Sequence, residues 1–287
     1  MPRPLGPAIR RERSRRAARA GAVIDLHTHL APGVDDGART LEGAVAVLTR
    51  FEAEGVHTVA CTPHARASAA ARGNLDGQRV RDAFDRLRAE APPGVDLRLG
   101  REVMLDEPGV DLAAHPALLL DGGPTVLVEF PHGPAPVAAG RELARLPAAG
   151  LRPILVHPER HAGATVAAVA AWRQAGVAVQ VDATTLAADT PRGAAARALV
   201  AAGEADLLAS DNHGDVRSLA VARDWLEARG ERALADLLTR DNPARLLRGE
   251  APVAPPPCPA LARVQHGLLA WLRARFGRGP SHSPSVS

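Results

Sequence analysis

The sequence predicts an α/β protein whose parallel strands close into a distorted, seven-stranded (β/α) barrel of the TIM type. Seven short apolar or β-rich runs occur along the chain, and helix-like segments separate most of them. This alternation is typical of a parallel sheet. No glycine-rich dinucleotide or phosphate motif is present, which favours a closed barrel over an open doubly wound sheet. The length of 287 residues suits a single barrel, although seven strands are one fewer than the usual eight.

The predicted elements follow one another from residue 22 to residue 239. The strands are expected at 22–26, 56–61, 95–99, 125–130, 152–156, 177–182 and 206–210. The first helix is expected at 41–54, where Thr40 is suited to be the N-cap. The other helices are expected from their apolar spacing at 80–91, 137–146, 166–175, 192–202, 217–229 and 231–239.

The two ends of the chain differ from this body in composition. Residues 1–21 are an arginine-rich arm, predicted to be disordered, unless translation starts at Val23. Residues 22–249 are the predicted barrel domain, and residues 250–260 are a proline-rich linker. Residues 261–287 are predicted to form a basic amphipathic helix and tail, which either packs on the body or docks on a partner or a membrane surface.

Composition excludes several kinds of chemistry. The chain contains no lysine, so a Schiff-base lysine and a P-loop lysine are excluded. The net charge of +3 combines +6 in residues 1–20, +4 in residues 251–287 and −7 in the body between them. An acidic body suits cations better than nucleic acid. Cys61 and Cys258 form no CxxC pair, and no run suits a signal peptide or membrane span, so a cytosolic protein is expected.

Eight imidazole and carboxylate groups are expected at the C-terminal ends of the predicted strands, and Asp36 of the DDG motif brings their number to nine. Those ends converge on one face of a barrel, where active sites lie. The fold is therefore expected to gather residues that the chain scatters between positions 27 and 213. The nine are His27, His29, Asp36, His64, Glu102, Glu129, His157, Asp211 and His213.

The chemistry of these groups predicts a metal cluster. Imidazole and carboxylate are ligands for Zn, Mn and Fe. Nine groups exceed the needs of one ion and suit two or three, which activate a water for phosphoryl displacement. Each motif alone is weak, and their joint placement carries the prediction. The other histidines serve as a control, because they fall at a strand start or in helices, turns and ends: His57, His115, His132, His161, His266 and His282.

The order of motifs HxH–DDG, TPH, GxE, EFP, HPER and SDxH resembles the PHP (polymerase and histidinol phosphatase) superfamily. The opening IDLHTHLAPGVDDGA, the HPER motif and the closing NPARLLRG at 242–249 more narrowly resemble the bacterial capsule-type, metal-dependent protein-tyrosine phosphatases. The resemblance covers residues 22–249. It implies a PHP-type barrel, hydrolysis of phosphotyrosine, and two or three divalent ions, with Mn or Fe favoured and Zn as an alternative.

The resemblance also implies a role for each residue. One metal would be held by His27, His29, Glu102 and Asp211, and Glu102 would bridge to a second metal held by His64, Glu129 and His157. Asp36 and His213 would contribute to a third metal or to its bridging water, and His213 is also a candidate proton donor. Arg160 and Arg217 would bind the substrate phosphate, with Arg66 as a weaker candidate. The run ARASAAARGN after TPH departs from the more basic and aromatic family pattern, so the substrate is less firmly implied than the metals.

The same resemblance implies a partner, a membrane-associated bacterial tyrosine kinase of capsule or exopolysaccharide synthesis. The basic segment 261–278 would then bring a cytoplasmic enzyme to the anionic inner membrane face. Three alternatives stay open: a histidinol-phosphatase-like enzyme for small molecules, a nucleotide phosphoesterase, and a non-catalytic metal-binding docking protein. The acidic body argues against nucleic acid as the ligand. Cys61 is expected to be a buried packing residue, so no cysteine nucleophile is needed.

Overall fold

The computed structural model describes residues 22–262, except for residues 132 and 134–136. The predicted arm at 1–21, nearly all of the predicted helix and tail at 261–287, and His132, His266 and His282 lie outside the described residues. The described part is a mixed α/β structure with two parallel sheets. The α/β class and the parallel strands are therefore as predicted.

The strands form a three-stranded and a six-stranded sheet, and every neighbouring pair of strands is parallel. Within the described residues the strands are β1 Val23–Thr28, β2 Val56–Cys61, β3 His64–Arg66, β4 Asp96–Leu99, β5 Glu102–Met104, β6 Thr125–Glu129, β7 Arg152–Val156, β8 Ala178–Asp182 and β9 Leu207–Ala209. The order is β1-β2-β4 in the smaller sheet and β3-β5-β6-β7-β8-β9 in the larger. The larger sheet thus takes up its strands in the order of the sequence.

The nine strands of the described residues differ from the seven predicted ones. The predicted strand at 56–61 is followed, after an interruption, by the short strand β3, and the predicted strand at 95–99 is followed in the same way by β5. Pro63 lies in the first interruption and has no N–H for a ladder. Gly100 lies in the second, where an added Cβ would be 3.2 Å from Leu120 Cδ1. Since β2 and β4 belong to one sheet and β3 and β5 to the other, these interruptions join the two sheets.

Backbone hydrogen bonds link β1 to the segment that follows β9. The Asp211 N–H donates to the carbonyl of His27 over 3.0 Å, and the His29 N–H donates to the carbonyl of Asn212 over 2.8 Å. Thr28 and Asn212 form a parallel bridge at the same place. The first strand therefore lies beside the end of the last strand.

Helices connect most of the strands. In the described residues they are α1 Leu41–Ala53, α2 Ala67–Ala71, α3 Gly77–Glu90, α4 Val137–Arg145, α5 Val166–Gln174, α6 Ala183–Ala187, α7 Pro191–Ala202, α8 Ala220–Glu227, α9 Arg232–Asp236 and α10 Asn242–Leu247. The Thr40 side chain accepts the Gly43 N–H as the predicted N-cap of α1. The helix predicted at 231–239 is divided between α9 and a π-helical turn, Leu237–Asp241. None of the helices in the described part of the chain has the length and apolar content needed to cross a bilayer.

An apolar layer lies beneath the polar ends of the strands. Ile24, Leu26, Leu127, Ile154 and Leu207 belong to one buried cluster. Glu129 comes two positions after Leu127, and side chains two positions apart on a strand share a face. The polar residues at the strand ends are therefore supported from below by close-packed aliphatic side chains.

The proline-rich segment predicted as a linker runs along α7. The Cys258 N–H donates to the carbonyl of Ala201 over 2.8 Å. The Asn242 side chain donates to the carbonyl of Val253 and accepts the Val253 N–H, over 2.9 and 2.7 Å. Leu261 is buried in the largest apolar cluster. This segment is thus fastened to the body at several points.

Candidate metal centre

A bulge in β1 sets the direction of the two histidines in HTH. Asp25 pairs with Val59 of β2, but Thr28 pairs with Cys61, so β1 has one extra residue between these pairs. An extra residue reverses the alternation of side chains. His27 and His29 can therefore share the interior face with Ile24 and Leu26, and both imidazoles are fully buried.

The two imidazoles and two carboxylates point their donor atoms at one place. His27 Nε2 and His29 Nε2 are 3.2 Å apart, and they lie 3.3 and 3.1 Å from Glu102 Oε2. Asp211 Oδ1 is 3.4 Å from His27 Nε2 and 3.5 Å from His29 Nε2. The structure thus brings together the four residues that were expected to hold the first ion.

The opposite nitrogen of each imidazole is held by an oxygen acceptor. His27 Nδ1 is 2.9 Å from Gln180 Oε1, and His29 Nδ1 is 2.7 Å from Asp35 Oδ2. With Nδ1–H donating to these oxygens, each Nε2 faces the carboxylates and would offer its lone pair to an ion once its proton is lost, which is the arrangement of metal-bound histidines. Sequence reasoning missed Gln180 and Asp35. The signals were a glutamine inside an apolar strand and the first aspartate of the DDG motif.

A second group of donors also meets at Glu102. His157 Nε2 lies 2.7 Å from Glu102 Oε1, and His64 Nδ1 lies 3.0 Å from Glu102 Oε2 and 3.6 Å from Glu129 Oε1. His64 and Glu102 are opposite each other in the register of β3 and β5. The carboxylate of Glu102 therefore lies between the two groups, where the resemblance implied a bridging ligand.

A third group lies nearer to solvent. Asp36 Oδ1 is 3.3 Å from His64 Nε2 and 3.5 Å from His213 Nε2, and the Asp36 side chain is 70% exposed. The His213 ring stacks on that of His29 with centroids 4.0 Å apart. His213 Nδ1 lies 2.9 Å from the carbonyl of Asp211, which leaves its Nε2 facing Asp36.

Asp211 links the metal-binding groups to the two candidate phosphate-binding arginines. Its Oδ2 accepts from Arg160 Nη2 and from Arg217 Nη1, the latter over 3.0 Å. Arg160 also donates to Asp182 Oδ2 over 2.6 Å, and Arg217 to Asp215 Oδ2 over 2.9 Å. Both guanidinium groups therefore lie at the edge of the donor cluster.

Burial and charge act in opposite directions on this cluster. Burial favours neutral imidazoles, but Glu102 and Asp211 outweigh it and raise the pKa of His27 to about 9. For His29, burial is outweighed by Asp35 and Glu102, and its pKa rises to about 10. Burial raises the pKa of Asp211, but His27 and Arg160 hold it well below its usual range. Without an ion His27 and His29 thus balance the carboxylates as cations, and a metal would displace their Nε2 protons.

The donor set fits divalent cations. Glu102 Oε2 and Glu129 Oε1 are buried and accept no hydrogen bond from the described residues, and the groups nearest to them are imidazole nitrogens 3.0–3.6 Å away; carboxylates buried in this way are normally ion-paired or bound to a metal. Ligands about 2.1 Å from one ion lie roughly 3 Å from each other. The separations in the three groups are close to that value. Nitrogen and oxygen donors without thiolates favour Mn, Fe or Zn.

Two of the ligand candidates have an unusual backbone. His157 and Asp211 have φ of 36° and 50°, in the left-handed region that few residues other than glycine adopt. Such strain is found mostly at functional sites, where the surroundings impose it. His157 directly follows β7 and its side chain contacts Glu102, whereas Asp211 lies two residues after the end of β9 and its side chain contacts His27.

Arg66 and the control histidines of the described residues contact groups outside this cluster. Arg66 has a side chain that is 68% exposed, and its ion-pair partner is Asp106 at 3.8 Å. His57 Nδ1 faces the carbonyl of Gly94 and His161 Nδ1 that of Gly133. None of the donor groups formed by described residues includes His57, His115 or His161.

Cys61 is fully buried in the largest apolar cluster. Burial raises the pKa of its thiol to about 12. A thiolate nucleophile is therefore disfavoured at this position.

Comparison with known proteins places the chain among capsule-synthesis proteins. The profile of the family described as capsular polysaccharide synthesis, CpsB/CapC, matches residues 23–248. The tyrosine-protein phosphatase YwqE of Bacillus subtilis (strain 168) is 29% identical over 145 residues, which are 48% of this chain and 55% of YwqE. CapC of Staphylococcus aureus is 24% identical over 143 residues, with the same two shares. The chain thus spans about half the length of these relatives.

A solved structure agrees with the fold over most of the chain. It comes from a description of YwqE from Bacillus subtilis and CpsB from Streptococcus pneumoniae as metal-dependent tyrosine phosphatases. The superposition covers 82% of this chain and 98% of the other, with a TM-score of 0.69 and 26% sequence identity.

Proposed function

The chain belongs to the CpsB/CapC family of capsular polysaccharide synthesis, and from this premise we propose that it is a metal-dependent phosphotyrosine phosphatase. The observation that carries the proposal is the convergence of nine imidazole and carboxylate side chains, edged by Arg160 and Arg217, on one end of the parallel strands. YwqE, a relative of this chain, is a tyrosine-protein phosphatase. We further propose that the sheets close into a PHP-type barrel through the hydrogen bonds between β1 and the segment after β9.

We assign the side chains to two or three divalent ions, with Mn or Fe favoured and Zn compatible with the same donors. His27, His29, Glu102 and Asp211 would hold the first ion. Glu102, His64, Glu129 and His157 would hold the second, and Asp36 and His213 would serve a third. When bound, the ions would lower the pKa of a water towards neutrality and neutralise charge on the phosphoryl oxygens.

The arginines are proposed to receive the phosphoryl group. Arg160 and Arg217 already meet an anionic oxygen, Oδ2 of Asp211. Guanidinium groups bind phosphate oxygens in pairs, so the phosphate would take over donors that now serve Asp211. Arg66 is held as a weaker phosphate contact, since it lies on β3 two residues after His64.

The tyrosine leaving group needs only weak general-acid catalysis. Its phenolate has an ordinary pKa of about 10, so it leaves more readily than an alkoxide. The His213 side chain is 16% exposed and its Nε2 faces Asp36. When it holds no ion, His213 in its imidazolium form is proposed to give the Nε2 proton to the leaving oxygen. The water oxygen forms a bond to phosphorus, and the bond between phosphorus and the tyrosine oxygen breaks. The phenolate takes up a proton, so the products are tyrosine and inorganic phosphate, and no phosphocysteine forms.

We propose that the substrate is a phosphotyrosine protein, namely a membrane-associated bacterial tyrosine kinase of capsule or exopolysaccharide synthesis. The body at 22–249 would be the catalytic domain. The enzyme would work in the cytoplasm, with segment 261–278 contacting the inner membrane face. The amphipathic pattern of that segment and its four arginines support this placement.

The test is phosphate release by chelator-stripped protein with and without added Mn²⁺. A phosphotyrosine peptide and histidinol phosphate are run side by side. Restoration of peptide turnover alone would support the proposal. Turnover of histidinol phosphate alone would move the function to small-molecule metabolism, and inactivity of metal-loaded protein on both would refute phosphatase activity.

Two matched variants show whether activity depends on the cluster. His27→Gln is expected to lower peptide turnover at least a hundredfold, because it removes a buried donor of the first ion. His57→Gln is expected to keep turnover within twofold, because its ring contacts the carbonyl of Gly94 outside the cluster. Equal activity of the two variants would contradict the assignment of the metal site.

A further inference from the structure

A cavity of about 460 Å³ adjoins the candidate phosphate-binding arginine. It lies between residues 159–166, which follow β7, and the first turns of α7. Arg160 lines this cavity, and its guanidinium also reaches Asp211 and Asp182. The cavity therefore shares Arg160 with the place where the phosphoryl group is proposed to bind.

The walls of this cavity are largely apolar. Val166, Pro191, Ala195 and Leu199 line it, with further alanines between them. Val166 is one of the few large apolar side chains exposed in the described part of the chain, at 36%. Arg192 lines the same cavity from the exposed start of α7. An apolar surface of this kind is typical of a pocket for a side chain.

A second cavity next to the metal centre has a different character. Its volume is about 520 Å³, and Asp36, His213, Arg217 and Arg39 line it. Its polar walls suit charged or hydrated groups. Each of the two arginines that contact Asp211 thus lines a separate cavity, one polar and one apolar.

We propose that the cavity beside Arg160 binds an apolar side chain that neighbours the phosphotyrosine in the substrate protein. This inference rests on the proposed function, since it needs a phosphate held by Arg160. The peptide on either side of that phosphotyrosine passes close to Arg160, and an aliphatic or aromatic neighbour gains the free energy of leaving water. The small alanine side chains leave room in the cavity for that neighbouring side chain, and Leu199 and Val166 would contact it.

The experiment replaces one alanine that lines the cavity with leucine, so that the cavity is filled. It then compares two kinds of substrate, a small aryl phosphate and phosphotyrosine peptides. Ala195 lines the cavity and is exposed at the start of α7, whereas its neighbour Ala194 is exposed but does not line it. Ala195→Leu and Ala194→Leu are therefore matched variants, both in an exposed helical position that accepts leucine. The substrates are p-nitrophenyl phosphate, which has no flanking residues, and phosphotyrosine peptides with Leu, Ala or Asp on either side, all with Mn²⁺.

The wild-type protein is expected to prefer leucine-flanked peptides over aspartate-flanked ones by about tenfold in kcat/KM, the size of effect that an apolar pocket provides. Ala195→Leu is expected to remove that preference, mainly through KM, and to leave p-nitrophenyl phosphate turnover within twofold. Ala194→Leu is expected to behave like wild type. An unchanged preference in Ala195→Leu would overturn the inference, as would an equal loss on p-nitrophenyl phosphate.

Failure of the proposed function gives a different result. In that case the metal-loaded wild-type protein turns over neither p-nitrophenyl phosphate nor any peptide, and the inference falls with it. If wild type hydrolyses both but shows no flanking preference, the phosphatase assignment stands and the cavity has no role in recognition.

Discussion

One carboxylate outside the predicted ligand set organises the HTH–DDG region. Asp35 accepts from His29 Nδ1 and from the backbone N–H of His64 through Oδ2, and from the N–H of Gly37 through Oδ1. Burial raises its pKa, but His29 outweighs that effect and lowers it to about 2. Asp35 therefore fixes an imidazole and the start of β3 together.

Asp35→Asn is expected to weaken Mn²⁺ binding by about 10- to 100-fold, because it removes the charge that orients a metal-binding histidine. Isothermal titration of chelator-stripped protein measures the affinity. Asp85→Asn, which changes an exposed pair with Arg88, is the matched control. Equal affinities in the two variants would show that Asp35 has no part in orienting His29.

Cys61 offers a test of the phosphatase chemistry. Cys61→Ser is expected to keep metal content and turnover near wild type, because the thiol is buried. Since its pKa is raised to about 12, a thiol reagent at pH 8 is expected to modify Cys61 only on unfolding, and faster as pH rises. Loss of turnover with normal metal content would instead indicate a cysteine nucleophile.

At the scale of the element, most of the candidate ligands lie at the ends of strands, and the loops that follow pack against them and fix their positions. Gly37 follows the DD pair, and an added Cβ would lie 2.0 Å from the carbonyl oxygen of His29. Its N–H is held by Asp35, and Ala38 N–H donates to the same His29 carbonyl over 2.8 Å. This loop therefore packs directly on the backbone of His29, one of the proposed metal ligands.

Gly37→Ala is expected to destabilise the protein by about 1–3 kcal/mol and to weaken metal binding, because the loop must move away from His29. Gly43→Ala in the first turn of α1 is the control, since its nearest contact, Thr40 Oγ1, is 3.3 Å away. That variant is expected to stay within about 1 kcal/mol of wild type. Thermal unfolding measures both, and similar results would argue against a tight loop at Gly37.

The sequence was sufficient to predict the positions of the main strands because their apolar runs are separated by helical spacing. It also indicated the imidazole and carboxylate side chains that the structure brings together, since His64, Glu129 and His157 lie where such runs end. It was not sufficient to predict the bulge in β1. Strict alternation from Ile24 and Leu26 would direct His27 and His29 to the other face, and only the pairing with β2 reveals the extra residue. Gln180 and Asp182 were missed because their partners, His27 and Arg160, are distant in sequence.

At the scale of the whole molecule, residues 250–262 are in contact with the body of the protein. Asn242 is buried and forms two hydrogen bonds with Val253, and Leu261 is buried against the largest apolar cluster. The boundary at residue 249 stays a prediction, and these contacts indicate how to test it.

A chain that ends at residue 249 is expected to be less stable than one that ends at residue 262 by about 3 kcal/mol. It would expose the apolar contacts of Leu261 and remove two of the three hydrogen bonds of the buried Asn242 side chain, so that only the one to the carbonyl of Asp206 is left. Urea unfolding of the two chains, both loaded with Mn²⁺, measures the difference. Equal urea midpoints would show that residues 250–262 contribute nothing to the free energy of unfolding, as expected of a linker.

The proximity of His27 to Asp211 has a consequence for the unfolded chain. An ion bound by both would tie the first strand to the segment after the last, and would close a loop of about 180 residues. Closing a loop of that length restricts the denatured ensemble by an entropy worth about 5 kcal/mol for a covalent bridge. The two cysteines of this protein are unpaired. The cofactor would thus be a removable cross-link, so that starvation for metal would loosen the fold as well as stop the chemistry.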